Sequence, residues 1–271
     1  MRKNILLITI SIISLNLFAQ DFYIVKDISP GLAKTTITEI ISIDNMLYFV
    51  ADDNQHGFEL WASDGTESGT YMVKDIFPGI DNFQFPNSSF PMYLTNFNNQ
   101  LFFYANDSIH GYELWKSDGT EAGTVMVKDI YIGKENSTIE GFTECNNILF
   151  FKADDGINGL ELWKTDGTEA GTGMLKDIAS GIYGSNPNDL TCWNNNLFFS
   201  AYTEELGEEL WKSDGSTIGT NLYADISLGA PSSLPIQFTP VGSRMFFDAE
   251  CDFWVTEETS NQPQKLLQSL G

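Results

Sequence analysis

The chain has 271 residues, 42% of them hydrophobic, and carries 14 basic against 37 acidic side chains, for a net charge of −23. Such a surface repels polyanions, which argues against nucleic acid and anionic lipid as partners and leaves divalent cations, basic proteins and neutral glycans. The chain is long enough to bury one large core.

Residues 1–20 read as a secretory signal. Arg2 and Lys3 precede an apolar run from Ile5 to Phe18, and small Ala19 stands near its end. Leu17 occupies a position where a small residue is usual, so an uncleaved anchor is the alternative. The run is short for a spanning helix, which needs about 20 residues. No later stretch is apolar enough to cross a membrane, so the expected location is secreted, at the cell surface or in the periplasm.

Residues 21–271 read as a single repeat domain. Phe58-Glu59-Leu60-Trp61-Ala62-Ser63-Asp64-Gly65-Thr66 returns at Tyr112 to Thr120, at Leu160 to Thr168 and at Glu208 to Ser216, with a worn fifth copy at Cys251 to Thr256. The tryptophans Trp61, Trp115, Trp163, Trp211 and Trp254 are 54, 48, 48 and 43 residues apart. Units fall near 36–79, 92–133, 139–181, 188–229 and 236–270.

Each unit reads as four short strands. In the third, Gly141 to Cys145 leads through Asn146-Asn147 into Leu149 to Ala153, then past an Asp/Asn/Gly turn into the Glu-Leu-Trp strand. A tight Asp166-Gly167 turn gives the last strand, Met174 to Ile178. Four strands in a period near 48 predict an all-β fold, a β-propeller of about five four-stranded blades. One blade cannot bury both its faces, so the five tryptophans are expected at the interfaces between blades.

Closure has two readings. The last-strand motif Val73-Lys74-Asp75-Ile76 also occurs ahead of the first unit, at Val25-Lys26-Asp27-Ile28, where it could complete the final blade and close the ring. Gln264 to Leu270 competes for the same place, and the chain also reads as a fragment of a larger propeller.

Cys145, Cys192 and Cys251 match no zinc spacing. Cys145 aligns with Phe97 and Trp193 and reads as a core residue, so no obligatory disulfide is expected.

Acids recur once per unit: Glu59, Glu113, Glu161, Glu209 and Asp252; Asp64, Asp118, Asp166 and Asp214; Asp75, Asp129, Asp177 and Asp225. A catalytic pair is one asymmetric constellation, so repetition points to repeat geometry and turn chemistry. No cofactor is expected apart from structural calcium, for which Asp52, Asp53, Asp107, Asp154 and Asp155 supply hard oxygen ligands. Ordinary solvated turns account for the same residues. His56 and His110 hold equivalent turn positions, and no third histidine exists to build a hydrolase triad.

Function in a repeat protein should lie where the repeat breaks. From the glycine that ends one unit to the first strand residue of the next, four junctions hold 15 residues, whereas Gly79 to Leu101 encloses 21. The extra residues bring Phe83, Phe85 and Phe90 onto a proline-stiffened loop, either as a recognition surface or as a strand extension packed underneath.

Glu113-Leu114-Trp115-Lys116-Ser117-Asp118-Gly119-Thr120, followed by Gly123-Thr124, resembles the signature of the ELWxxDGT repeat family of exported bacterial proteins, found mainly in Bacteroidetes. The resemblance spans nearly the whole domain and implies a propeller-like array on or outside the cell, with no activity to transfer to a residue. The Ser63-Asp64-Gly65-Thr66 turn also resembles the Asp-box of sialidase propellers, a structural element.

Three functions are therefore carried forward. The first is a non-enzymatic binding or scaffold module of the cell envelope, with a glycan or protein ligand and Phe83, Phe85 and Phe90 as contacts. The second is a glycan-active enzyme using non-repeated acids such as Glu204 and Glu205. The third is a purely structural array within a larger surface protein.

Overall fold

The computed structural model describes residues 23–31, 35–258, 260 and 262–267. The signal segment, 1–20, lies outside the described residues. Five four-stranded antiparallel sheets follow one another along the chain, each in simple up-and-down order. The first contains β1 (Ile37–Ile43), β2 (Met46–Asp52), β3 (Phe58–Ser63) and β4 (Thr70–Lys74); the second, β5 (Met92–Phe97), β6 (Gln100–Asn106), β7 (Tyr112–Ser117) and β8 (Val125–Lys128). The third comprises β9 (Glu140–Cys145), β10 (Ile148–Asp154), β11 (Leu160–Thr165) and β12 (Gly173–Lys176); the fourth, β13 (Asn188–Trp193), β14 (Asn196–Thr203), β15 (Gly207–Ser213) and β16 (Asn221–Ala224). The last comprises β17 (Ile236–Val241), β18 (Arg244–Ala249), β19 (Asp252–Glu257) and β20 (Gln264–Leu267). First strands of successive sheets pack together, β1 on β5, β5 on β9, β9 on β13 and β13 on β17. The fold is a five-bladed β-propeller. Among the described residues no helix is long and apolar enough to cross a membrane.

Local chemistry explains the strand order. The first hairpins of blades 2, 3 and 4 turn on Asn98-Asn99, Asn146-Asn147 and Asn194-Asn195, all at positive φ, the conformation of a type I′ turn that asparagine tolerates. The Asp-Gly turn between third and fourth strands is held by the aspartate itself: Asp118 Oδ1 accepts from Thr120 N at 2.9 Å and Thr120 Oγ1 at 2.7 Å. These bonds hold the Asp118 carboxyl below its ordinary range.

Blade-to-blade packing fills the core. Leu60, Ala62, Val73 and Ile76 of blade 1 meet Leu101, Phe103, Ala105 and Trp115 of blade 2. Trp163 lies among blade 2 residues such as Leu114 and Ile130, Trp211 among Leu162 and Leu175 of blade 3, and half-buried Trp254 beside Leu210 of blade 4. Lysines on the fourth strands latch the first three contacts: Lys74, Lys128 and Lys176 Nζ donate to Thr124, Thr172 and Thr220 O of the following blade at 2.8, 2.9 and 2.6 Å.

Of the two closure readings one holds, and one sequence expectation needs correction. The fifth blade carries its own last strand, because β20 pairs with β19 in the register Phe253↔Leu267 and Trp254↔Lys265, so Val25–Ile28 does not complete it. Instead this segment docks on the face of blade 1 as an interior fourth strand would, with Lys26 Nζ donating to Thr70 O at 2.6 Å and Ile28 packed against Phe49, Ala51 and Trp61. Among the described residues β17 does not pack on β1 to the extent seen at the other four junctions. The expectation of no disulfide fails. Cys145 on β9 and Cys192 on β13 are bonded, their Cα atoms 5.3 Å apart, because adjacent inner strands bring positions 47 residues apart into contact.

The recurrent glutamates are tie points. Fully buried Glu59 accepts from Ile76 N, Ser89 N and Ser89 Oγ, joining the end of blade 1 to the start of blade 2; Glu161 and Glu209 make the same bonds to Ser185 and Ser233. Burial outweighs these bonds and raises the carboxyls, Glu59 to about 7 and Glu113 to about 8. A carboxyl raised on folding stabilises the native state below its unfolded value of about 4.5, and this contribution is lost as pH climbs through about 7 to 8. The melting temperature is therefore expected to fall across that window. Self-repulsion of the acidic chain acts in the same direction, so the comparison is with Glu113→Gln, which should show a shallower slope in thermal melts at stepped pH. Identical slopes would place the proton elsewhere.

Candidate binding cleft

At one end of the propeller, the segments leaving blades 1 to 4 cross the turn between the second and third strands of the same blade. The approach is close: a Cβ at Gly57 would lie 2.0 Å from Asn87 O, and one at Gly159 would lie 2.5 Å from Gly184 N. Glycine is required at these two positions on both counts, since each also has positive φ, 70° and 68°.

The residue after the isoleucine that follows the fourth strand then decides how the blade meets its successor. It is Phe77 after Ile76, Tyr131 after Ile130, Ala179 after Ile178 and Ser227 after Ile226. Tyr131 lays its ring on Gly156, in the turn of blade 3, so closely that a Cβ there would lie 2.5 Å from the ring. At the next interface both partners change: alanine replaces the tyrosine, and Glu204 stands where Gly156 stood. A cleft of about 560 Å³ opens between the exit of blade 3 and the β14–β15 turn of blade 4. Its walls include Ala179, Tyr183, Tyr202, Glu204 and Glu205. Tyr183 is 86% exposed and Tyr202 46%. No lysine or arginine lines the cleft, and among the described residues neither glutamate is in an ion pair.

The aromatic loop lies at the same end. Asp81 Oδ1 accepts from Phe83 N at 2.8 Å and Phe85 N at 2.9 Å, and Ile80 bridges Pro86. The loop is a compact turn, not a strand extension, and leaves Phe83 and Phe85 exposed. Phe90 stacks on Phe58, ring centroids 5.2 Å apart, and is still 45% exposed.

The carboxylates considered for calcium close their own turns. Asp53 Oδ1 accepts from Gln55 N and His56 N, and Oδ2 lies 2.7 Å from His56 Nδ1. Asp107 does the same with His110, and Asp155 with Asn158, whose amide takes the place of the imidazole. Asp52 and Asp154 each accept one turn amide. The Asp53 carboxyl lies below its ordinary range: burial pushes it up, but the bonds from His56 and Gln55 together outweigh burial. Among the described residues no three His, Cys, Asp or Glu side chains converge as a metal site requires.

Sequence reading named Glu204 and Glu205 but missed Tyr183, Tyr202 and Ala179. The signal was available as the loss of an aromatic at one repeat position, but it acquires meaning only once Tyr131 is seen on Gly156.

No family model matches the chain, and no curated protein matches it. Among solved structures it is similar to a puromycin hydrolase S511A mutant complexed with PGG (TM-score 0.52, 12% identity, 85% of this chain and 37% of the other). It is also similar to oligopeptidase B from Leishmania major (TM-score 0.51, 8% identity, 89% and 35%). The chain spans little more than a third of the length of either. At these identities the likeness is one of fold, and the class it supports is the β-propeller.

Proposed function

We propose that this protein is an exported binding module of the cell envelope whose glycan or protein ligand seats in the cleft between blades 3 and 4. The observation that carries the reading is the exchange of Tyr131 and Gly156 for Ala179 and Glu204, which replaces a packed interface by an open, tyrosine-lined one. Ser227 also lacks a ring one blade later, and it is the cleft beside Ala179, walled by Tyr183, Tyr202, Glu204 and Glu205, that supports a binding role here. The exposed Phe83 and Phe85 are a second contact area at the same end, and the ELWxxDGT signature supports membership of that exported family.

The test is Ala179→Tyr, which puts a ring into the mouth of the cleft; Glu204 carries the Cβ that Gly156 lacks, so the ring fills the opening without repeating the packing of Tyr131. Glycan and peptide arrays probed with wild type should give ligands that the variant loses, with the melting temperature unchanged. Identical array profiles would dismiss the cleft. The enzyme alternative rests on Glu204 and Glu205 lining the same space; glycoside turnover abolished by Glu204→Gln or Glu205→Gln would favour it.

A further inference from the structure

We infer that the cleft receives a planar cationic side chain, the guanidinium of an arginine in a peptide ligand. The inference rests on the cleft being a binding site and adds the chemistry of what binds. Its shape argument is the opening itself: one interface earlier the ring of Tyr131 covers Gly156, whereas Ala179 leaves a cleft of about 560 Å³ beside Glu204. A flat group entering there lies beside the Glu204 side chain, against the tyrosines of the wall.

The charge argument is independent of shape. Glu204 and Glu205 are adjacent in sequence, share the cleft, and have no basic residue in its wall, in a chain whose net charge is −23. A neutral sugar would leave that repulsion in place, whereas a cation relieves it. Tyr183 and Tyr202 add two aromatic faces on which a guanidinium can stack, and a guanidinium presents paired donors that match a carboxylate. Lysine supplies the charge without the plane, so arginine fits better.

The experiment titrates the purified chain with Gly-Arg-Gly, Gly-Lys-Gly and the neutral isostere Gly-citrulline-Gly. It uses wild type, Ala179→Tyr and the double variant Glu204→Gln/Glu205→Gln, at low and high salt. The arginine peptide should bind wild type best, and its affinity should fall about tenfold or more in either variant and with citrulline. Ala179→Tyr keeps the net charge, so its loss cannot come from general acidity. Equal arginine binding by wild type and Ala179→Tyr, or equal binding of arginine and citrulline, overturns the inference. If Ala179→Tyr abolishes binding of a neutral oligosaccharide but not of the arginine peptide, the cleft stands and the cationic ligand falls. If the variant alters binding of neither class, both readings fall. Should Ala179→Tyr not fold, Tyr183→Ala, which removes an exposed ring, takes its place with the same expectations.

Discussion

Replacing Trp115 by alanine is expected to lower the unfolding free energy by about 3–5 kcal/mol, the cost of deleting a large buried aromatic. Trp115 is 6% exposed and closes the cluster in which Leu60, Val73 and Ile76 of blade 1 meet Leu101 and Phe103 of blade 2. Its face also lies 5.9 Å from Lys74 Nζ, which simultaneously donates to Thr124 O. The substitution therefore removes apolar area on both sides of an interface and loosens the latch that crosses it. In a stack of repeats each blade is stabilised chiefly by its neighbours, so weakening one interface acts on both. Trp254→Ala is expected to cost less, because that indole is only half-buried, at the last interface. Urea unfolding of the two variants and wild type measures the difference. A loss below about 1 kcal/mol for Trp115→Ala would mean that the interface closes over the gap.

Much of the architecture is legible in the chain because its determinants are local. Asn146-Asn147 and Asp166-Gly167 dictate turns through their own backbone and side-chain chemistry, and strand alternation follows from there. The period near 48 then implies stacking. What the sequence hid depends on which residues meet across blades. Cys145 and Cys192 sit one position apart in the repeat frame, an offset that only the packing of β9 on β13 turns into a bond. The Glu59 series reads as part of the repeat geometry, but its partner Ser89, 30 residues on, is visible only once the blades are in place. The aromatic loop attracted notice because it is an insertion, a change visible in length. The cleft arises from a subtraction, Ala179 for an aromatic, and a missing side chain is silent until its neighbour is known.

Removing the Cys145–Cys192 bond is expected to cost about 4 kcal/mol, the loop-closure value for a span of this length. The bond joins the inner strands of blades 3 and 4, and Cys145 is itself 2% exposed. Reductant should lower the melting temperature of wild type but not of Cys145→Ala/Cys192→Ala, and the oxidised wild type should be the most stable of the set. A reductant-insensitive wild type would show that the interface holds without its staple. The position of the bond gives this prediction a functional side. Cys145 precedes the Asn146-Asn147 turn, at the end of the interface opposite the β14–β15 turn that lines the cleft. Blades 3 and 4 have given up the ring packing that Tyr131 supplies between blades 2 and 3, and the covalent link offsets that loss from the far end. A bond of this kind persists in oxidising compartments, which fits the proposed export. In the double variant, ligand binding at the cleft should weaken along with stability, because the two walls are then held by packing and hydrogen bonds such as Tyr202 N to Ser185 O, with no covalent cross-link between them.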